Sequence, residues 1–382
     1  MSSYLKPSLN WLLVFIPIAA YQEFIGHNHT WIFIASCLAI IPAAGWMGRA
    51  TEHLAERTGD GIGGLLNATF GNAAELIIAL IALHAGMYDV VKASITGSII
   101  GNLLLVLGAA CFAGGLKHPN LPFNAKGVSS YSSMVFLAAA SLVAPATFHH
   151  LGGESIHDKE LSLSLVIAIV LIITYGCSLL FSLHTHRQLF TGSSAQAAEV
   201  EDEAAGTHWS VKKAISVLVG ATVVLSILAE WMVGSVTHAA TAFGMTNVFV
   251  GVIIVAIVGN AAEHSTAILM AMKKRMDLAV GIALGSSIQI ALFVAPVLVF
   301  ASYFIGPESA GPMDLVFTTA EVLAIILAVL VTEQVVGDGE SNWLEGVQLL
   351  SVYIIIGVLF YFLPEALSSG AIAPAAPGVP GH

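Results

Sequence analysis

Two carboxylates occupy equivalent places in a repeated motif. Gly71-Asn72-Ala73-Ala74-Glu75 recurs 188 positions later as Gly259-Asn260-Ala261-Ala262-Glu263. The same offset, without a gap, pairs Gly63 with Gly251, Ala79 with Ala267, Asp89 with Asp277, Gly97 with Gly285 and Ser98 with Ser286. Both glutamates stand in the middle of long apolar stretches. A charged carboxylate at that depth costs at least ~2.5 kcal/mol on insertion scales and marks an ion or proton path by default. One isolated glutamate, protonated and tied into a bundle, would be unremarkable; two at related positions point to function.

The motif supplies hard oxygen ligands. On a continuous helix Gly71 and Asn72 lie four and three residues before Glu75, on its face. The glycine weakens the helix and frees carbonyls, and the asparagine adds an amide oxygen. Carboxylate, amide and carbonyl oxygens suit Ca2+, which takes six to eight of them. Glu75 and Glu263, apposed across a pseudo-twofold axis, supply four oxygens and two negative charges, which balance one divalent cation. Without the cation the two charges repel, and protons take its place. Mutually exclusive occupancy by metal and protons is the logic of an antiporter.

A polar shell surrounds the pair in sequence. Ser98 and Ser286 follow their glutamates by the same interval, Gln289 aligns with Gly101, and Asn102 comes next. These groups are placed to hold the carboxylates or the cation, or to act as polar glue between helices. His264 adjoins Glu263 where the first copy has Leu76. A helical neighbour points about 100° away, so His264 is a candidate proton relay rather than a ligand. Glu230 and Glu321 are read as further buried carboxylates without repeat partners, candidates for accessory proton sites. Glu52 and Glu56 read as interfacial.

The elements that must position these groups are membrane helices. Of 382 residues, 57% are apolar and 10% charged, against about 25% charge in soluble domains. Mean hydropathy is +0.87. Disorder, nucleic-acid binding and a disulfide-stapled secreted fold are excluded. Cys37, Cys111 and Cys177 lie in apolar runs as small core residues. Eleven apolar spans are expected, near 9–26, 31–50, 62–86, 89–115, 127–148, 160–184, 211–238, 246–272, 277–305, 313–336 and 343–363, the second able to continue through Arg57. The first follows the lone Lys6 and lacks a small-residue cleavage pattern, so it reads as a retained helix.

Positive charge supports that number. With the N-terminus inside, eleven of the 13 Lys and Arg fall in inside segments, and only Lys92 and Lys159 fall outside. The fold class expected is therefore an all-α polytopic membrane protein with N-terminus cytoplasmic and C-terminus outside. Residues 1–28 form an extra N-terminal helix, 29–185 a first five-helix repeat and 211–366 a second. Five is odd, so the copies are inverted and the binding site lies between them near the midplane. Residues 186–210 form a cytoplasmic linker whose Glu199, Glu201, Asp202 and Glu203 read as a solvated acidic run or a cation-attracting segment. The Ala, Pro and Gly-rich tail, 367–382, reads as disordered.

At this point the motifs resemble a known family. Asn67 to Glu75 followed by Ser94-Ile95-Thr96-Gly97-Ser98 is similar to the first repeat of the calcium/proton exchangers, within the cation/calcium exchanger superfamily. Gly259 to His264 with Ala283 to Phe293 is similar to their second, and Asp338 to Gly346 also resembles that family. The similarity spans nearly the whole chain. It implies an eleven-helix fold and a Ca2+ site built by Glu75 and Glu263, with Asn72, Asn260 and Gln289 nearby. It also implies an acidic segment between the halves. The short stretch before the first span suits a prokaryotic plasma-membrane transporter and not the long regulatory N-terminus of plant relatives.

The expected partners are Ca2+, protons and the bilayer, with no nucleic acid and no cofactor; the oligomeric state, homo-oligomer included, is open. A Na+/Ca2+ exchanger or an exchanger of other divalent cations such as Mn2+ is the nearest alternative, although Asn before each Ala-Ala-Glu fits proton coupling better. An intramembrane aspartyl protease would need a second mid-membrane Asp beside Asp60, and no H-E-x-x-H motif exists. A channel would need a filter-like loop.

Overall fold

The computed structural model describes residues 9–58, 60–152, 157–186 and 209–364. Because no water reaches the hydrocarbon core, each apolar stretch satisfies its backbone internally as helix. In chain order the helices are α1 Leu9–Gly26, α2 His29–Thr58, α3 Asp60–Phe70, α4 Ala73–His84, α5 Tyr88–Gly115 and α6 Ala125–Gly152, then α7 Lys159–Thr185, α8 Val211–Phe243, α9 Asn247–Met272, α10 Met276–Ser302, α11 Thr319–Val336 and α12 Trp343–Phe362. Ten of them are individually long and apolar enough to cross a membrane. The span expected over 62–86 is divided between α3 and α4. The acidic run 199–203 and the tail from 367 lie outside the described residues.

Four differences from the sequence reading follow from identifiable local chemistry. The span expected over 62–86 is broken at Gly71-Asn72, where a residue without Cβ precedes one that leaves the helical region (φ −99°, ψ 25°). The span expected from 313 becomes helical only at Thr319. Before it, Met313, Leu315 and Phe317 are buried in an extended segment, whose backbone is satisfied from outside: Met313 N–H donates to Ser302 Oγ and Leu315 N–H to Ser164 Oγ, each at 2.9 Å. Glu230, expected to be buried, is exposed on α8. Cys177 is exposed on α7, whereas Cys37 and Cys111 are buried as expected.

Helix ends are fixed by side-chain caps. Thr318 and Glu321 form a reciprocal capping box that starts α11, and Asn342 with Glu345 forms another that starts α12. The Asp338–Gly346 stretch is thus a helix-start device, and its Glu340-Ser341 pairs antiparallel with Leu121-Pro122 to join the two repeats at one end.

α5 and α10 are the most enclosed spans, while α6, α7, α8 and α12 turn large apolar faces outward. Those faces, such as Val219, Val223 and Ile227 of α8, meet lipid. Inside, helices approach closely through small residues. A Cβ on Gly97 of α5 would collide with the Val252 carbonyl of α9, and one on Gly251 would lie 2.6 Å from Ala93 Cβ. These glycines let α5 lie directly against the helix that carries the second motif. Gly97→Val should therefore lower thermal stability sharply and reduce the monodisperse fraction in size-exclusion chromatography. Gly176→Ala, at a helical position with open space around it, should be neutral or raise stability by up to about 1 kcal/mol.

Candidate cation site

Glu75 lies in the first turn of α4, just past the break, and Glu263 lies inside the uninterrupted α9. The two copies of one motif thus adopt different backbones. The helical-face argument holds for Gly259, Asn260 and Glu263; in the first copy Asn72 stands at the N-cap position of α4 with no side-chain cap hydrogen bond. Despite this, each glutamate reaches the other copy's glycine. A Cβ on Gly259 would be 3.5 Å from Glu75 Oε1, and one on Gly71 would be 3.7 Å from Glu263 Oε1 and from Gln289 Oε1. The missing Cβ atoms make room for the crossing carboxylates.

The shell is wired between the repeats. Asn102 Nδ2 donates to Ser286 Oγ at 3.0 Å, and the Ser286 hydroxyl donates to Asn72 Oδ1 at 2.9 Å. Asn72 Nδ2 in turn donates to Gln289 Oε1. In the other copy, Asn260 Nδ2 donates to Ser98 Oγ at 3.0 Å and to the Ala256 carbonyl at 2.9 Å. Asn72, Asn102, Asn260, Ser98 and Ser286 are all buried. Next to this network α5 and α10 each widen into a π-helical turn, at Gly101–Val106 and Ile290–Val294; such turns often mark functional sites.

The two asparagines are not equivalent. The oxygen of Asn72 is committed to Ser286. The amide group of Asn260 is fixed by a backbone carbonyl acceptor, and its oxygen is left buried without a hydrogen bond. Glu75 Oε2, Glu263 Oε2 and His264 Nε2 are likewise buried and unbonded. Buried polar atoms in folded proteins are normally paired, so three unbonded oxygens on the two copies of one motif make this a candidate site. Among the described residues no three His, Cys, Asp or Glu side chains cluster. Beyond the two carboxylates, the oxygens that this crossing offers are those of amides, hydroxyls and carbonyls.

The other sequence candidates are placed apart from this crossing. Glu321 is buried, with Oε2 accepting from Thr318 N–H and Oγ–H at 2.8 Å and Oε1 from Thr96 Oγ–H at 3.4 Å; its burial is accounted for by the cap. Glu230 is exposed. Sequence reasoning missed that the shell crosses between repeats, although one signal was present: Asn102 aligns with Ile290, so one copy alone carries the donor that starts the Asn102–Ser286–Asn72 chain.

The sodium/calcium exchanger protein family model matches residues 28–184 and 213–362. The chain belongs to that family. It is a transporter, not an enzyme. Its sequence is 45% identical over 349 residues to the Ca2+/H+ antiporter ChaA of Bacillus subtilis (strain 168), covering 91% of this chain and 97% of that one. It is 42% identical over 366 residues to the Ca2+/H+ antiporter of Aphanothece halophytica, covering 92% and 96%. The solved structure of native YfkE superposes with a TM-score of 0.80 at 41% identity, covering 93% of this chain and 100% of that one.

Removing the bridging hydroxyl tests the network. Ser286→Ala strands a buried donor on Asn102 and a buried acceptor on Asn72, and should cost roughly 1–3 kcal/mol of stability. Thermal unfolding in detergent should show a larger loss than for Ser98→Ala, which leaves Asn260 Nδ2 its second acceptor.

Proposed function

We propose that the chain is a secondary active antiporter that exchanges Ca2+ for H+ by alternating access. Glu75 and Glu263 bind the cation in one half of the cycle and protons in the other. The observation that carries this reading is the set of buried, unbonded oxygens of Glu75, Glu263 and Asn260 at the crossing of the two repeats. The names of the relatives with 42–45% identity over nearly their whole length support Ca2+ and H+ as the cargo.

On this reading the pair carries two negative charges opposite one divalent cation, with Asn260 Oδ1 as a neutral third ligand. When the cation leaves, repulsion between desolvated carboxylates draws in protons, so the empty, charged pair is the least favoured state. Coupling follows from that penalty. Asn72, Ser286, Asn102 and Gln289 hold the frame, and His264, with its unbonded ring nitrogen, is the nearest candidate for passing protons. We place the protein in a prokaryotic plasma membrane with N-terminus cytoplasmic and C-terminus outside. The proposed division is residues 1–28, the repeats 29–185 and 211–366, the linker 186–210 carrying Glu199, Glu201, Asp202 and Glu203, and the tail 367–382.

The decisive measurement is 45Ca2+ uptake by reconstituted vesicles under an imposed pH gradient, with Na+ and Mn2+ as competitors. Wild-type protein should accumulate Ca2+ on the acidic side, and Glu75→Gln or Glu263→Gln should abolish it. Uptake driven by Na+ at clamped pH would replace the reading with a Na+/Ca2+ exchanger. Near-normal transport in either glutamine variant would refute the shared-site mechanism. The asparagines should separate: Asn260→Ala should raise the half-saturating Ca2+ concentration by about tenfold, equivalent to ~1.4 kcal/mol. Asn72→Ala should lower stability and maximal rate with little change in apparent affinity.

A further inference from the structure

The cation-rich end of α2 and α8 carries a second built feature, remote from the glutamates. Trp46 of α2 stacks on Trp209, just before α8, with ring centroids 5.9 Å apart. The Arg49 guanidinium lies 4.4 Å above the Trp46 ring, and Lys213 Nζ lies 4.5 Å from the Trp209 ring. Arg57 donates to the Trp209 carbonyl at 3.1 Å, and the His53 ring is tilted against Trp209 at 4.8 Å. Lys212 is exposed beside them. Three permanent cations from two helices therefore converge on one aromatic pair, with Lys212 next to Lys213 in sequence.

The ion pairs among the described residues are His53–Glu56, Lys92–Asp314 and His149–Glu160, so among those residues no carboxylate lies within 4.0 Å of Arg49, Arg57, Lys212 or Lys213. Glu52 and Glu56 share this part of α2, and Glu56 is turned to His53 Nδ1 at 3.5 Å. Arg49 Nε–H donates to the Gly45 carbonyl at 3.2 Å; stacking uses the faces of the Arg49 and Lys213 head groups, which leaves Nη–H and Nζ–H donors for an acceptor.

The depth of the cluster identifies that acceptor. The Trp46 indole N–H donates to Asn10 Oδ1 at 3.1 Å, and Asn10 stands at the start of α1, where the first apolar run begins. Trp46 therefore sits at the membrane–water boundary, where tryptophans concentrate, and Arg49 lies one turn, ~4.5 Å, further out. That is the level of lipid phosphates. The geometry points to a binding site for the phosphate headgroup of an anionic phospholipid, held by Arg49 and Lys213, with Arg57 and Lys212 enlarging the positive field. A headgroup seated there bridges α2 and α8, which pack along one another, and so joins the two repeats at one membrane face.

The test uses the full-length purified protein and native mass spectrometry after equilibration with equal amounts of phosphatidylglycerol and phosphatidylcholine. Wild-type protein should retain phosphatidylglycerol preferentially. Arg49→Gln with Lys213→Gln should lower its occupancy by roughly tenfold or more, from two lost charge contacts at about 1 kcal/mol each. Arg49→Lys with Lys213→Arg, and the distant control Lys273→Gln with Lys274→Gln, should retain it. If the double glutamine variant does not fold, the wild-type complex decides: bound phosphatidylglycerol should be released progressively by NaCl. Equal retention of both lipids, no effect of the double variant, or no release by salt would overturn the proposal. Displacement of the lipid by inorganic phosphate at equal concentration would show a soluble-anion site and overturn it as well.

Discussion

Two like charges held in one crevice inside a bilayer repel one another and forfeit hydration, and much of the architecture reads as a response to that pair. The carboxylates must come from different halves, so the helices that carry them must cross at very short range. Short range in a membrane is achieved with small residues rather than with a hydrophobic drive. Hence the glycines at 71 and 259 opposite the glutamates, and those at 97 and 251 where α5 meets α9. The surrounding amides and hydroxyls bond largely to one another across the crossing, and Ser286 also reaches Glu263.

Among the described residues, inward-facing acids fall into two kinds. Glu321 and Glu345 are answered by the amides of the helix turns that they cap, and Glu160 by His149 at 2.7 Å. Glu75 and Glu263 keep an unanswered oxygen each. A carboxylate with its donors in place has no reason to exchange them, whereas one left wanting has room for a partner, which on the proposed reading is the cation or a proton. Burial alone does not distinguish the two kinds.

Hydropathy and the repeat made the spans and the glutamate pair legible, because lipid tolerates long apolar runs and punishes isolated charge. What the sequence concealed was decided by backbone and partners. The Gly-Asn dipeptide breaks the helix in one copy and not in the other, so nothing within the motif itself could announce the difference. Residues 313–318 are as apolar as a helix start yet run extended, because Ser164 and Ser302 from other helices take their amides. Glu230 looks buried in a hydropathy window, but its face of α8 points outward. Trp209 gains meaning only when Trp46, 163 residues earlier, arrives beside it.

The unequal backbones of the two motifs bear on kinetics. A carrier built from identical inverted halves would offer the same affinity and speed on both membrane faces. With one glutamate hinged at a helix break and the other set in a continuous helix, the two faces need not match. The equilibrium of a coupled cycle is set by the two gradients alone, so such unevenness cannot change how far exchange proceeds. It redistributes the rate constants around the cycle, and any gain in affinity at one face is compensated elsewhere in the loop. On the proposed exchange cycle, a broken turn of helix gives a duplicated protein a way to make the rates at its two membrane faces unequal without altering its driving force.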